Sequence, residues 1–213
     1  MGFRFRRSGE WLAVVLLLGS IAAASSNQKG NVRITVVVNN TAGVSSSVLS
    51  GAESEAGGIF RAAGVEIQWI ECQSDAVSED ACRRVPSANQ FVLHLVPTGR
   101  TSSDLVFGVA FLGQDGTGKY CNVFFDRVEE ARRNRDAGLP QLLGTVVAHE
   151  LGHLLLGSHA HSPAGIMRPV WDSQSLRGIA MGMFLFTREQ SSLMKARFQR
   201  GLEVGSSESS AGD

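Results

Sequence analysis

His149-Glu150-Leu151-Gly152-His153-Leu154-Leu155-Leu156-Gly157-Ser158-His159-Ala160-His161 holds four of the five histidines of the chain. On a helix, His149 and His153 stand one turn apart and project from the same face. Two imidazoles at that spacing can share one Zn²⁺ at about 2.0–2.1 Å. Glu150, next door, is placed to act on a metal-bound water rather than to ligate. The surrounding helix is apolar, with Val146, Val147, Leu151, Leu154, Leu155 and Leu156 around the polar groups. A purely structural helix would have to find partners for three buried ionisable side chains, because leaving them unpaired is costly. A surface helix with incidental histidines is therefore the weaker reading. Gly144, Ala148 and Gly152 form a small-residue row at four-residue spacing, which lets another backbone or a substrate come close. Pro140 opens this helix and Gly157 ends it.

The segments before it read mainly as strands. Asn31 to Val38 is β-branched, and Val65 to Ile70 alternates. Phe91 to Val96, Val106 to Leu112 and Tyr120 to Phe125 complete five strands, the last two separated by the glycine-rich run Gly113 to Lys119. Between the first two strands, Val48, Leu49, Ala52, Ala56, Ile59, Phe60 and Ala63 recur at helical spacing over about Ser46 to Ala63. Gly51, Gly57 and Gly58 weaken that helix. Arg127 to Arg135 starts a surface helix or loop. Thr187 to Gln190 fits a capping box, with Leu193, Met194 and Phe198 as the buried face of the last helix. Strands dominate the first half and helices the second, an α+β arrangement without repeats or a second domain.

The 213 residues fit one domain, and 43% hydrophobic with 19% charged residues suffices for a packed core. Lys plus Arg equals Asp plus Glu at 20 each, which argues against nucleic-acid binding and its need for a basic surface. Residues 1–24 read as a secretory signal peptide: Arg4, Arg6 and Arg7 precede an apolar run, then Ala22-Ala23-Ala24. The apolar stretch from Trp11 to Ala24 falls short of the roughly 20 residues of a membrane span, and no cysteine lies near the cleavage site for a lipid. Cleavage removes three arginines and one glutamate, leaving a slightly acidic exported chain. The expected organisation is thus a catalytic domain over 25–203 and a disordered Gly/Ser/acidic tail over 204–213, secreted or periplasmic, without a stable membrane anchor. In an oxidising compartment Cys72 and Cys82 would join across a short polar loop, worth about 3 kcal/mol, leaving Cys121 as a buried inert thiol.

With HELGH, a helix-ending glycine, further histidines and a downstream methionine, the sequence resembles the metzincin zinc peptidases, whose motif is HExxHxxGxxH plus a methionine-containing turn. His161-Ser162-Pro163-Ala164-Gly165-Ile166-Met167 is similar to the His-Ser and Met-turn segment of the matrixin branch. Gly108 to Phe111 and Val123 to Asp126 are similar to that branch's strands beside the cleft. The specific likeness covers about Val106 to Met167, in the form also associated with uncharacterised exported bacterial proteins. It implies a small mixed twisted sheet, an N-terminal helix, an active-site helix carrying HExxH, a Met-turn and a C-terminal helix. It further implies zinc on three histidines and hydrolysis of peptide or protein substrates by water activated at the metal, with Glu150 as general base. Met167 would form a floor under the histidines, and Val109 to Leu112 an edge strand that pairs with an extended peptide.

The chain departs from the pattern in one place: Leu156 stands where the family has glycine, and Gly157 follows. His159 keeps the count from His153, whereas His161 keeps the His-Ser pairing and nearly the distance from the glycine. His161 is favoured as third ligand because ligation must follow the turn, and His159 stays a candidate. No tyrosine follows Met167, and no inhibitory propeptide fits between Ala24 and the first strand. His94 reads as structural, and Trp69 and Trp171 as core or pocket-wall aromatics. The rival to an endopeptidase is a non-catalytic zinc-stabilised domain that binds a peptide or surface, with all four histidines closing the metal site. Hydrolysis of an amide in a non-protein substrate is a third reading.

Overall fold

The computed structural model describes residues 32–72, 82–98, 106–133 and 137–209; the expected signal peptide lies outside them. Five strands form one sheet in the order β2-β1-β3-β5-β4. They are β1 (Val32–Asn40), β2 (Val65–Cys72), β3 (Gln90–Val96), β4 (Gly108–Phe111) and β5 (Tyr120–Phe124). The first four positions run parallel, and β4 turns back antiparallel along β5 as the edge strand. The β-branched run of the first strand explains its inner position: Val32, Ile34, Val36 and Val38 all enter the core cluster.

Helix α1 (Ser46–Ala62) and the histidine-bearing helix α3 (Leu139–Leu156) cross on one face of this sheet. The glycines that weaken α1 by propensity serve this crossing. A Cβ at Gly51 would stand 2.7 Å from the Pro140 Cβ, and one at Gly144 would stand 2.5 Å from the Ala52 carbonyl oxygen. Close backbone approach thus outweighs the roughly 1 kcal/mol that a helical glycine costs. Helix α3 is buried almost throughout, from Leu142 to Leu155. At its end Gly157 adopts φ +64°, the left-handed cap that the sequence signalled.

Helix α2 (Phe125–Arg133) lies at the surface with Val128 as its buried anchor. Helix α4 (Ser173–Ala180), absent from the sequence reading, is capped by Asp172, whose carboxylate accepts the Ser175 N–H at 2.8 Å. Helix α5 (Arg188–Ser209) begins with the expected capping box: Thr187 N–H donates to Gln190 Oε1 at 2.8 Å, and Gln190 N–H to Thr187 Oγ1 at 3.2 Å. Its helical backbone runs to Ser209, into the segment that composition assigned to a tail. Arg197 of α5 donates to the Gly116 carbonyl at 3.0 Å, fastening the β4–β5 hairpin beside the end of α3. Cys72 and Cys82 form a disulfide with Cα atoms 5.9 Å apart, and Cys121 is buried and free. Burial pushes the Cys121 thiol far up, so it stays protonated and inert.

Candidate metal centre

His149, Glu150 and His153 lie inside the molecule, at 8%, 6% and 5% exposure. Their backbone neighbours fix the histidine rings. His149 Nδ1–H donates to the Ile166 carbonyl at 2.8 Å, and His153 Nδ1–H donates to the Ser158 carbonyl at 2.7 Å. A carbonyl can only accept, so both Nδ1 atoms carry the proton and both Nε2 atoms are left with a bare lone pair. Those two Nε2 atoms face each other at 3.1 Å. Opposed lone pairs at that distance repel unless a positive charge sits with them. A proton is a poor candidate for that charge at neutral pH, because burial, with smaller contributions from His153 and His161, lowers the His149 pKa to about 4. Burial likewise lowers that of His153. A metal ion fits instead.

The end of α3 delivers the third imidazole. N–H groups of Gly157 and Ser158 both close on the His153 carbonyl, at 2.9 and 3.2 Å, so the chain turns sharply and returns. The ring of His161 then lies 5.4 Å from that of His149 and 5.1 Å from that of His153. Ligand atoms of His149, His153 and His161 all fall within 4.8 Å of one another. His159 is not in this group: its ring is exposed, 6.1 Å from that of His153, at the rim between the cleft and the Gly113–Gly116 hairpin. Three neutral imidazoles make the donor set of a zinc site.

The segment after His161 supports the ligands from below. Ser162 N–H donates to the Met167 carbonyl at 2.8 Å, and Ile166 N–H to the Leu185 carbonyl at 3.0 Å. The latter bond holds in place the residue whose own carbonyl orients His149. Met167 is fully buried against the ligand helix, where a Cβ on Gly152 would stand 2.8 Å from its Sδ. The small-residue row of α3 therefore admits α1 at Gly144 and this turn at Gly152.

Glu150 lies between α3 and the edge strand. Burial pushes its carboxyl up to about 8. Gly108 makes its position possible, since a Cβ there would stand 2.6 Å from the Asn122 carbonyl and 2.7 Å from Glu150 Cγ. The sequence reading matched Gly108 only as part of a strand and missed this role; a glycine opening a short strand was the available signal. A cleft of about 290 Å³ runs over the histidines, walled by Val106, Phe107, Val109, Val146 and Trp171. Trp171 stands edge-on to His149 at 5.7 Å and stacks on Phe107 at 5.9 Å, which makes it a wall of the cleft. Trp69 packs at the margin of the core, and His94 stacks on Tyr120 outside the metal cluster.

No family model and no curated protein sequence matches the chain. Among solved structures it resembles a zinc-dependent peptidase from Methanocorpusculum labreanum, with a TM-score of 0.52 and 15% identity over 76% of this chain and 99% of that one. An archaemetzincin from Methanopyrus kandleri aligns at a TM-score of 0.47 and 18% identity, over 84% of this chain and 99% of that one. The first likeness shows a shared fold. The class defined by fold and site together is an α+β protein with a three-histidine zinc site, on a fold shared with that structure.

Proposed function

We propose that the chain is an exported zinc-dependent endopeptidase of metzincin type that hydrolyses peptide bonds in extended substrates. The observation that carries this reading is the pair of bare Nε2 atoms facing each other at 3.1 Å, with His161 closing the group and the Glu150 carboxyl buried beside it. His149, His153 and His161 hold the metal, and Met167 is the floor beneath them. Zinc there supplies Lewis-acid polarisation of the scissile carbonyl and of a water molecule. Glu150 takes a proton from the attacking water and passes it to the leaving amine. Without a metal its carboxyl is neutral at pH 7; a cation close by favours the ionised form that a base requires. Among the described residues strand β4 pairs with β5 alone, so its outer edge offers N–H and C=O groups to an extended peptide running past the metal.

Export rests on residues 1–24 as a signal peptide, with a catalytic domain over 25–203 and a tail beyond it. The Cys72–Cys82 disulfide suits an oxidising compartment, and no helix among the described residues is long and apolar enough to cross a membrane. A closed, non-catalytic zinc site would need a fourth protein donor, and the place of His159 outside the three-histidine group disfavours it. Protein from residue 25 onward, with zinc measured, is to be compared with Glu150→Ala on a peptide library. Zinc near one per chain in both, with cleavage in the parent alone, is expected. Zinc bound by a parent that cleaves no peptide would turn the reading to a binding domain or a non-peptide amide.

A further inference from the structure

Three of the seven large hydrophobic residues that the described part of the chain exposes lie within one stretch after the metal-supporting turn: Val170 at 59%, Met181 at 61% and Met183 at 62%. The two methionines are not on a loose loop. Met181 N–H donates to the Arg177 carbonyl at 3.1 Å, Gly182 N–H to Ile179 at 3.0 Å and Met183 N–H to Gly178 at 2.8 Å. Gly182 takes φ +66° between them. This is a fixed helix end that holds two flexible thioethers in solvent, where closing helix ends commonly bury an apolar side chain.

Both methionines line a groove of about 570 Å³ between α4 and the turn at Pro163–Gly165. Its lining contains two arginines, Arg168 and Arg177, and no carboxylate. Arg168 is held in place by Ser175 Oγ at 3.2 Å and Asp172 Oδ2 at 3.4 Å. Arg177 is exposed and forms no ion pair among the described residues. Arg168 also borders the cleft above the histidines, and Val170 lines that cleft, so groove and cleft adjoin.

We infer that this groove docks an acidic, apolar segment of protein substrates, outside the stretch that is cleaved. The inference takes from the peptidase reading only what the occupant is for. Exposed apolar surface rimmed by charge marks an interaction site, and methionine adapts to varied apolar side chains. Asp172 offsets the charge of Arg168, so Arg177, exposed and without an ion pair among the described residues, is the lining cation that favours an anionic partner. A second copy bound through the same groove would set arginine against arginine. A concave channel also suits an extended segment better than a flat membrane.

The test uses zinc-loaded Glu150→Ala protein, which holds a peptide without turning it over. A fluorescein-labelled peptide alternating Leu or Phe with Glu is compared by polarisation with one carrying Lys for Glu. Expected are at least tenfold tighter binding of the acidic peptide, weakening with salt, a tenfold loss on adding Met181→Ser with Met183→Ser, and about threefold on adding Arg177→Gln. In the active protein, joining the acidic segment to a short quenched substrate lowers KM several-fold with kcat unchanged. The methionine double variant removes that gain and cleaves the short substrate as before. Equal binding of the two peptides, or binding that survives the double variant, overturns the inference. A dimer that the double variant dissolves, or recruitment to phosphatidylglycerol vesicles without peptide binding, assigns the surface elsewhere and overturns it as well. Failure of the active protein to cleave any peptide counts against the peptidase reading, and the polarisation result still decides the groove.

Discussion

The candidate metal centre draws its three histidines from two unlike regions. His149 and His153 stand on a helix buried from Leu142 to Leu155, each ring locked by a backbone carbonyl. His161 arrives on a short return after Gly157, its ring exposed and its place set by the turn behind it. The helix supplies a rigid pair already aimed at a common point; the loop completes the site. Rigidity comes from the core, so the pair should tolerate loss of the third ligand better than the third tolerates loss of the pair.

The largest effect should come from breaking the pair. His149→Ala or His153→Ala is expected to abolish zinc retention through gel filtration, a loss on the order of a thousandfold or more in affinity, since each breaks the rigid pair and leaves one helix ligand with one on the return loop. His161→Ala should cost about a hundredfold, and His159→Ala less than threefold, by competition with a chelating dye. Equal effects of the two loop substitutions would erase the distinction between ligand and bystander. Gly108→Ala should come next. Its Cβ presses on the Asn122 carbonyl and on Glu150, so a loss of about 1–3 kcal/mol in urea unfolding is expected, with kcat falling more than zinc content.

The last effect, read only through pH, is the most diagnostic of burial. Glu150 carries a folded-state pKa of about 8, above the ordinary 4.5, so the folded metal-free protein binds the proton more tightly than the unfolded chain does. Stability then falls as pH rises between those values. Glu150→Gln removes the penalty. In metal-free protein its melting temperature should match the parent near pH 4.5, exceed it increasingly towards pH 8 and level off beyond. With zinc bound the difference should shrink, because a nearby cation stabilises the carboxylate. A gap that is the same at every pH would place Glu150 in solvent.

The same two regions differ in how far the sequence disclosed them. Helix α3 was legible with its Pro140 start, its Gly157 stop and two histidines on one face, because periodicity and capping are local. The capping box at Thr187 and the Cys72–Cys82 pair were legible for the same reason. The return loop was not. Counting residues left His159 and His161 in competition, whereas their placement depends on Ser158 closing on His153 and on Ile166 meeting His149 and Leu185 from other parts of the chain. Gly108 escaped notice because its purpose is the space it leaves for a side chain on another element. Helix α4 escaped because it is eight residues long and its hydrophobic spacing is brief. Gly51 even argued the wrong way, its propensity cost being visible and its contact with Pro140 not.

X-ray absorption at the zinc K-edge of the purified metal-loaded protein tests the centre most directly. Three imidazole nitrogens at about 2.0–2.1 Å with one further oxygen is the expected first shell. Four imidazoles would contradict it by bringing His159 into a closed site, and two would remove His161 from it.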